Sequence, residues 1–341
     1  MAPPPVLTHR SIAPSFFTAA FHPSKSREYR EHRPSNHSSN AVIRSIAWNN
    51  LGNRIACGLN TNLVRVWNPD KPEAKNSTEL KGHLKDVEKV VWDPMHPDKL
   101  ASCCNGQVKF WDYRSQFDPL VRIMLDRVAD EDGCLGTTVT TGDNVNLAYH
   151  PDSKVLAVGT KDDRIHFIDP RNASAILKTH KEGTQSNQVT FSHNGEYVLI
   201  TTSLGKIVVR NWPSLEEVYS VDAHHSALNC LQLDPRGSTL AIGGSDAALS
   251  LWDTAHWVCL RTLTRMDAPI KSMGYSFDGA YVCASSDEST NIEIAHCDTG
   301  DYVHTIQTNH SIPNIAWHPN KYVLAYTGDP VGLKIMGINA V

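Results

Sequence analysis

Apolar and polar positions alternate with period two along most of the chain, in short runs broken by turns rich in Gly, Asn, Asp and Pro. That is the pattern of half-buried β-strands, and no stretch of useful length carries the 3.6-residue period of a helix. An aromatic or apolar residue closes one such run just before each of seven turns: Trp48 (IAWNNLG), Trp92 (VVWDPMHP), Tyr149 (LAYHPDS), Phe191 (VTFSHNG), Leu233 (LQLDPRG), Tyr275 (MGYSFDG) and Trp317 (IAWHPNK). Successive spacings are 44, 57, 42, 42, 42 and 42 residues. A period held this closely marks a tandem array, each unit burying its apolar face against the next. Every unit continues with an apolar run such as VLAVGT or TLAIGG, a tight polar turn, and an alternating run such as RIHFID or ALSLWD, so the units are read as antiparallel strands.

Two units carry a further signature: KGH at 81 to 83 with Trp111-Asp112, and Ala223-His224 with Trp252-Asp253. With four strands in about 42 residues, these dipeptides resemble the WD-repeat family, which implies an all-β, seven-bladed WD-repeat β-propeller over residues 26 to 341. Elsewhere the closing dipeptide has drifted, to Trp67-Asn68, Ile168-Asp169, Arg210-Asn211, Ile294-Ala295 and Met336-Gly337. Family geometry also assigns the Ser, His and Asp of AHHSALNCLQLDPRGSTLAIGGSDAALSLWD. His224, Asp246 and Trp252 form a structural brace in which the turn carboxylate accepts from the imidazole, with a hydroxyl and the indole behind it. His83, Asn105 and Trp111 repeat the spacing in the second unit, with Asn in place of Asp. A catalytic triad would not recur from unit to unit, and Ser226 lacks the strained G-x-S-x-G elbow of a nucleophile.

A ring of sheets must close, because an open edge pairs with other chains. GLKIMGINAV supplies a third strand for the last unit and no fourth, so residues 26 to 33, SREYREHR, are expected to complete that blade from the other end of the chain. Residues 1 to 25, with five prolines, read as a disordered N-terminal tail, so deleting residues 1 to 20 should be tolerated and deleting 1 to 34 should not. The spacing of 57 places an insertion at 124 to 143, with the acidic core DRVADEDG. A solvated loop and a docking loop are both open there.

Formal net charge is −4; residues 1 to 40 hold five bases against two acids, leaving −7 on the body. A body without surplus cations does not displace counterions from a phosphate backbone, so strong direct nucleic-acid binding is disfavoured. The eight cysteines form no C-x-x-C pair, and Cys57, Cys103 and Cys283 fall in apolar runs, RIACG, KLASCC and AYVCAS. No metal site, cofactor motif or paired-carboxylate motif stands out, and histidines such as His150 and His318 precede prolines in turns. The expectation is a non-enzyme without cofactor or metal. The opening MAPPPVLTHRSIAP lacks the charged and apolar segments of a signal peptide, and no apolar run is long enough to span a membrane.

For WD-repeat propellers, partners dock on the face built by the starts of the first strands and the turns between second and third strands. Carried onto this sequence, that candidate partner-binding rim is Arg44, Asp86, Glu88, Asp143, Lys161, Gln185, Asn187, Lys271, Asp287 and Asp329, joined by Ser203, Asn229 and Ser245. A rim with five acids and three bases favours a basic or mixed peptide. More specifically, GTKDDRIHFIDPRN (159 to 172), SDAALSLWDTAHWVCLRTLTRMDAPIKSMGYSFDG (245 to 279), IEIAHCDTGDYV (292 to 303) and the SREYREH strand resemble the WD-repeat, third-subunit family of the THO complex. The resemblance implies a nuclear, non-catalytic scaffold of the THO/TREX assembly, which couples transcription elongation to mRNA packaging and export. It would bind other THO subunits, above all the large scaffold subunit, with the DEAD-box export helicase reached indirectly and RNA contact mostly indirect. The alternative is a substrate receptor of a ubiquitin ligase or another nuclear propeller adaptor; no adaptor helix is visible in residues 1 to 40.

Overall fold

A computed structural model of the chain describes residues 12–30, 41–116, 134–173, 175–329 and 332–337. The alternating runs fold into antiparallel sheets, as their β-branched and aromatic content favours. The first sheet holds Ile43–Trp48, Ile55–Leu59, Val64–Trp67 and Thr78–Leu80. Four-stranded sheets of the same order follow from Ser186–Phe191 to Glu217–Asp222, from Leu228–Leu233 to Val258–Leu263, and from Ser272–Tyr275 to Tyr302–Gln307. Second strands such as Ile55–Leu59, Leu156–Thr160 and Tyr281–Ser285 are buried throughout, because a neighbouring sheet covers each of their faces. Outer strands such as Ile176–Lys181 face solvent. Each innermost strand packs on the next around the axis, and the last, Asn314–Trp317, meets the first, Ile43–Trp48. There Trp48 Nε1 donates to the Ala316 carbonyl at 3.1 Å, and Trp92 Nε1 repeats the bond to Ala47 at 2.9 Å.

The expectation of seven blades is corrected: the described residues form six sheets. The second and third sequence units share one six-stranded sheet, because two strands run unbroken through the corners where other units turn. Lys99–Asp112 and Cys134–Tyr149 pair from Asn105↔Asp143 to Trp111↔Cys134, and the far half of Cys134–Tyr149 then pairs with Leu156–Thr160. A bulge at Asn105/Gln107, with Gly106 at φ 73°, lets the first of these strands bend without leaving the ladder. Asn144, fully buried, ties the corner. Its amide donates to the Cys104 carbonyl at 2.8 Å and the Gln107 carbonyl at 3.2 Å, and its carbonyl accepts from Thr140 Oγ1 at 2.8 Å. Of the insertion expected at 124 to 143, residues 124 to 133 lie outside the described residues, and 134 to 143 are part of this strand rather than a loop.

The sheet holding Asn314–Trp317, Val323–Asp329 and Gly332–Gly337 takes its fourth strand from Arg27–Arg30, in the register Arg27↔Ile335 to Arg30↔Gly332. Tyr29 is the anchor of that strand. It is buried, meets Trp67 edge-on at 5.6 Å, and donates its hydroxyl to the Pro69 carbonyl at 2.5 Å. Burial, only partly offset by Arg27, pushes its phenol up to about 12.

Between residues 12 and 25 the expected disordered tail is corrected as well. Pro14–Ala20 is a helix opened by Pro at its first turn, and it buries Phe17, Ala20 and the following Phe21, an i, i+3, i+4 stripe. Phe17 meets Tyr281 edge-on at 4.6 Å, Phe21 meets Trp317 at 5.9 Å, and the Ile12 N–H donates to the Tyr281 hydroxyl at 2.7 Å. The helix therefore caps the core between the last two sheets.

Candidate functional site: braces, rim and outer face

In the fifth unit the brace residues converge. His224 Nδ1 lies 3.0 Å from both carboxylate oxygens of Asp246, His224 Nε2 lies 2.6 Å from Ser250 Oγ, and Trp252 Nε1 donates to the same hydroxyl at 2.8 Å. Burial works to raise the Asp246 carboxyl, yet the hydrogen bond and charge of His224 and the Ala248 N–H outweigh it and hold the group below its ordinary range. The hydroxyl in this chain is Ser250. Ser226 Oγ is buried with no hydrogen-bond partner among the described residues, so the apparent Ser-His-Asp set is not assembled around it.

The second unit keeps half of this arrangement. His83 Nε2 lies 2.6 Å from Ser102 Oγ, and Trp111 Nε1 donates to that oxygen at 2.7 Å. Asn105 does not reach the ring, and His83 Nδ1 has no hydrogen-bond partner among the described residues. Burial, with the nearby charge of Lys109, brings the His83 imidazole down to about 3. Between that value and the ordinary value near 6.5 the unfolded chain binds a proton that the folded chain refuses, so stability is full above pH 6.5 and drains as pH falls toward 3. His166, His304 and His318, lowered by burial, act with the same sign. His83→Gln keeps a polar group facing Ser102 without a titrating one. Its unfolding free energy is expected to fall less steeply between pH 6.5 and 4, by up to about 1.4 kcal/mol per pH unit. Superimposable slopes in denaturant titrations would remove His83 from this account.

On the rim, the bases are brought onto the acids. Arg44 bridges the first two units, Nη2 to Asp86 at 2.7 Å and Nη1 to Glu88 at 3.5 Å. Lys161 lies 3.5 Å from Asp143, and Lys271 lies 3.9 Å from Asp287. These exposed pairs neutralise local charge and contribute about 0–1 kcal/mol each. Asn187 and Asn229 are joints between units, donating to the Leu228 and Ile270 carbonyls at 2.8 and 3.0 Å, while Ser245 Oγ donates to Asn229 Oδ1 at 3.2 Å. The Gln185 carbonyl accepts the Ser203 N–H at 2.9 Å, extending the ladder between Ser186–Phe191 and Tyr197–Thr202 by one bond. Asp329 pairs with Gly332 through the backbone; its side chain lies outside the described residues.

Among the described residues no group of three or more His, Cys, Asp or Glu is placed to hold a metal ion. All eight cysteines are free, and only Cys259 is exposed. Burial raises the thiols of Cys103, Cys230, Cys283 and Cys297, which leaves them poor nucleophiles. Two features escaped the sequence reading. One is Asn144, marked only by its place in a Thr-rich run. The other is Trp257, which lines an outer cavity and stands where the sixth unit has Gly300; comparing DTAHW with HCDTG shows the exchange.

Repeated strands, His–Ser–Trp braces and ring closure define a WD-repeat propeller. The WD domain, G-beta repeat family matches residues 28–68, 74–112 and 215–253. THO complex subunit 3 of Arabidopsis thaliana is 32% identical over 315 residues, covering 92% of each chain. This chain belongs to the THO complex subunit 3 family. WD repeat-containing protein AAC3 of Dictyostelium discoideum is 32% identical over 307 residues, which are 83% of this chain and 60% of that protein. In fold, the chain is similar to the crystal structure of the Cps50 (Swd1) beta-propeller domain of Myceliophteria thermophila, with a TM-score of 0.75 at 16% identity over 92% of this chain and all of that one.

Proposed function

We propose that the chain is a non-catalytic, nuclear scaffold subunit of THO/TREX, holding other THO subunits while transcription elongation is coupled to mRNA packaging and export. The observation that carries this is the end-to-end likeness to a THO complex subunit 3, spanning 92% of both chains rather than the repeats alone. The fifth-unit brace supports it: His224 Nε2 and Trp252 Nε1 meet on Ser250 Oγ within the blade and are spent on holding the fold, so function falls to surfaces. The large scaffold subunit is the direct partner in this reading. The export helicase is reached through the complex, and RNA is touched mostly indirectly, in keeping with a net charge of −4.

Affinity purification of the full chain from nuclear extract is expected to recover THO subunits; recovery of a ubiquitin-ligase adaptor without them overturns the proposal. The rim is tested by Lys161→Glu together with Lys271→Glu. Each change replaces an ion pair with adjacent acids on an exposed surface, costing about 0.5 kcal/mol or less in stability. Recovery of THO subunits is expected to drop about tenfold. Undiminished recovery by a folded double variant removes that face as the docking surface.

A further inference from the structure

The turns between first and second strands and between third and fourth strands build the face opposite the rim. There a cavity of about 410 Å³ opens between the fourth and fifth units. Its walls are Tyr197, Leu233, Val218, Tyr219 and Trp257, and Tyr219 and Trp257 stack at 5.6 Å with an interplanar angle of 28°. Val218 and Tyr219 are 50% and 41% exposed. Apolar side chains left this open beside a cavity are the composition of a recognition site.

The backbone at Trp257 carries the argument further. The Leu215, Trp257 and Gly300 amides close the same turn in three consecutive units, donating to the Asn211, Asp253 and His296 carbonyls at 2.7, 2.9 and 2.8 Å. All three residues have positive φ, at 66°, 56° and 77°. Glycine takes that conformation without cost, whereas a bulky side chain is strained there. Leu215 recovers the cost by burial in the core, being 6% exposed. Trp257 is only partly buried; its indole walls the cavity instead. Strain of this kind is retained where a side chain must be presented.

Charge selects the occupant. Among the described residues no carboxylate lines the cavity, while Arg236 and His193 do, both exposed. One Arg236 Nη donates to the Asp278 carbonyl at 3.3 Å. We propose that this cavity is a docking site for a short peptide segment of a partner protein that pairs an aromatic or aliphatic anchor with an acidic residue. The anchor enters between Tyr219 and Leu233 against Trp257, and the carboxylate meets Arg236. The proposal stands on the cavity alone and does not require THO membership.

The test is selection of a phage-displayed random heptapeptide library on the immobilised full chain. Selected peptides are then titrated against Trp257→Gly, Val218→Asp and Arg236→Glu. Glycine suits the turn, as at Gly300, so Trp257→Gly keeps the fold while removing the wall; Val218→Asp changes an exposed position and serves if it does not. Enriched sequences are expected to join Phe, Leu, Ile or Val to Asp or Glu, and to bind each variant about tenfold or more weakly. No enrichment, basic sequences, or equal binding to Trp257→Gly and Val218→Asp overturns the proposal. So does a dimer of the full chain that dissociates in Trp257→Gly, since the cavity would then belong to a second copy.

Discussion

A chain lacking residues 1 to 20 is expected to unfold at a markedly lower temperature than the full chain, even though the closing strand Arg27–Arg30 is retained. Composition suggests the opposite, because a proline-rich segment looks expendable. The packing decides otherwise. Phe17 is fully buried and sits in one cluster with Tyr281, Ile292, Ile294 and Leu324, so its removal opens the junction of the last two sheets. Truncating a buried Phe costs about 3–5 kcal/mol through lost transfer energy and the cavity left behind. The deletion also takes away Ala20, and with Ile12 an N–H that donates to the Tyr281 hydroxyl. At roughly 2–4 °C per kcal/mol for a large domain, the melting temperature drops by on the order of 10 °C. Phe17→Ala in the full chain should reproduce most of the loss. Deletion of residues 1 to 34 should be worse, since it also strips Tyr29 from Trp67 and leaves Gly332–Gly337 as a bare edge. Scanning calorimetry that gives the 1-to-20 deletion the melting temperature of the full chain would show that the helix contributes nothing.

What could be read in the sequence divides along a physical line. Features fixed by short-range pattern were legible: the strand-closing aromatics from Trp48 to Trp317, and the spacing that brings His224, Asp246 and Trp252 together. The short helix was legible in principle, since PSFFTAA places Pro at a helix start and Phe17, Ala20 and Phe21 on one face. Seven residues make a weak signal against five prolines, and its stability comes wholly from tertiary burial. The hidden features depend on partners distant in sequence. Whether Asn105-Gly106 ends a strand or bends one is decided by the pairing of Asn105 with Asp143, thirty-eight positions away. That pairing turns seven sequence units into six sheets. The outer cavity joins the turn after Leu233 to an outer strand of the preceding unit, a proximity set by ring packing and not by either segment alone.

Asn144→Ala is expected to cost about 3–5 kcal/mol, more than a surface-loop position of its polarity would suggest. The side chain is fully buried and uses both ends. Its amide serves the Cys104 and Gln107 carbonyls, one on each side of the Asn105/Gln107 bulge, and its carbonyl holds the Thr140 hydroxyl. Alanine abandons all three groups at once, and each buried polar group left without a partner costs about 1–3 kcal/mol. Asn144→Asp should be at least as damaging despite its matching size, because a carboxylate only accepts and would face two carbonyl oxygens in a buried site. The loss should be local before it is global. Amides of the ladder from Gln107 to Trp111 should exchange with solvent faster in Asn144→Ala, while those of the fourth and fifth units keep their protection. Denaturant titrations that place its unfolding free energy within about 0.5 kcal/mol of the parent chain's would mean the two units stay fused without this residue. The continuity of the six-stranded sheet would then rest on its Thr-rich backbone pairing alone.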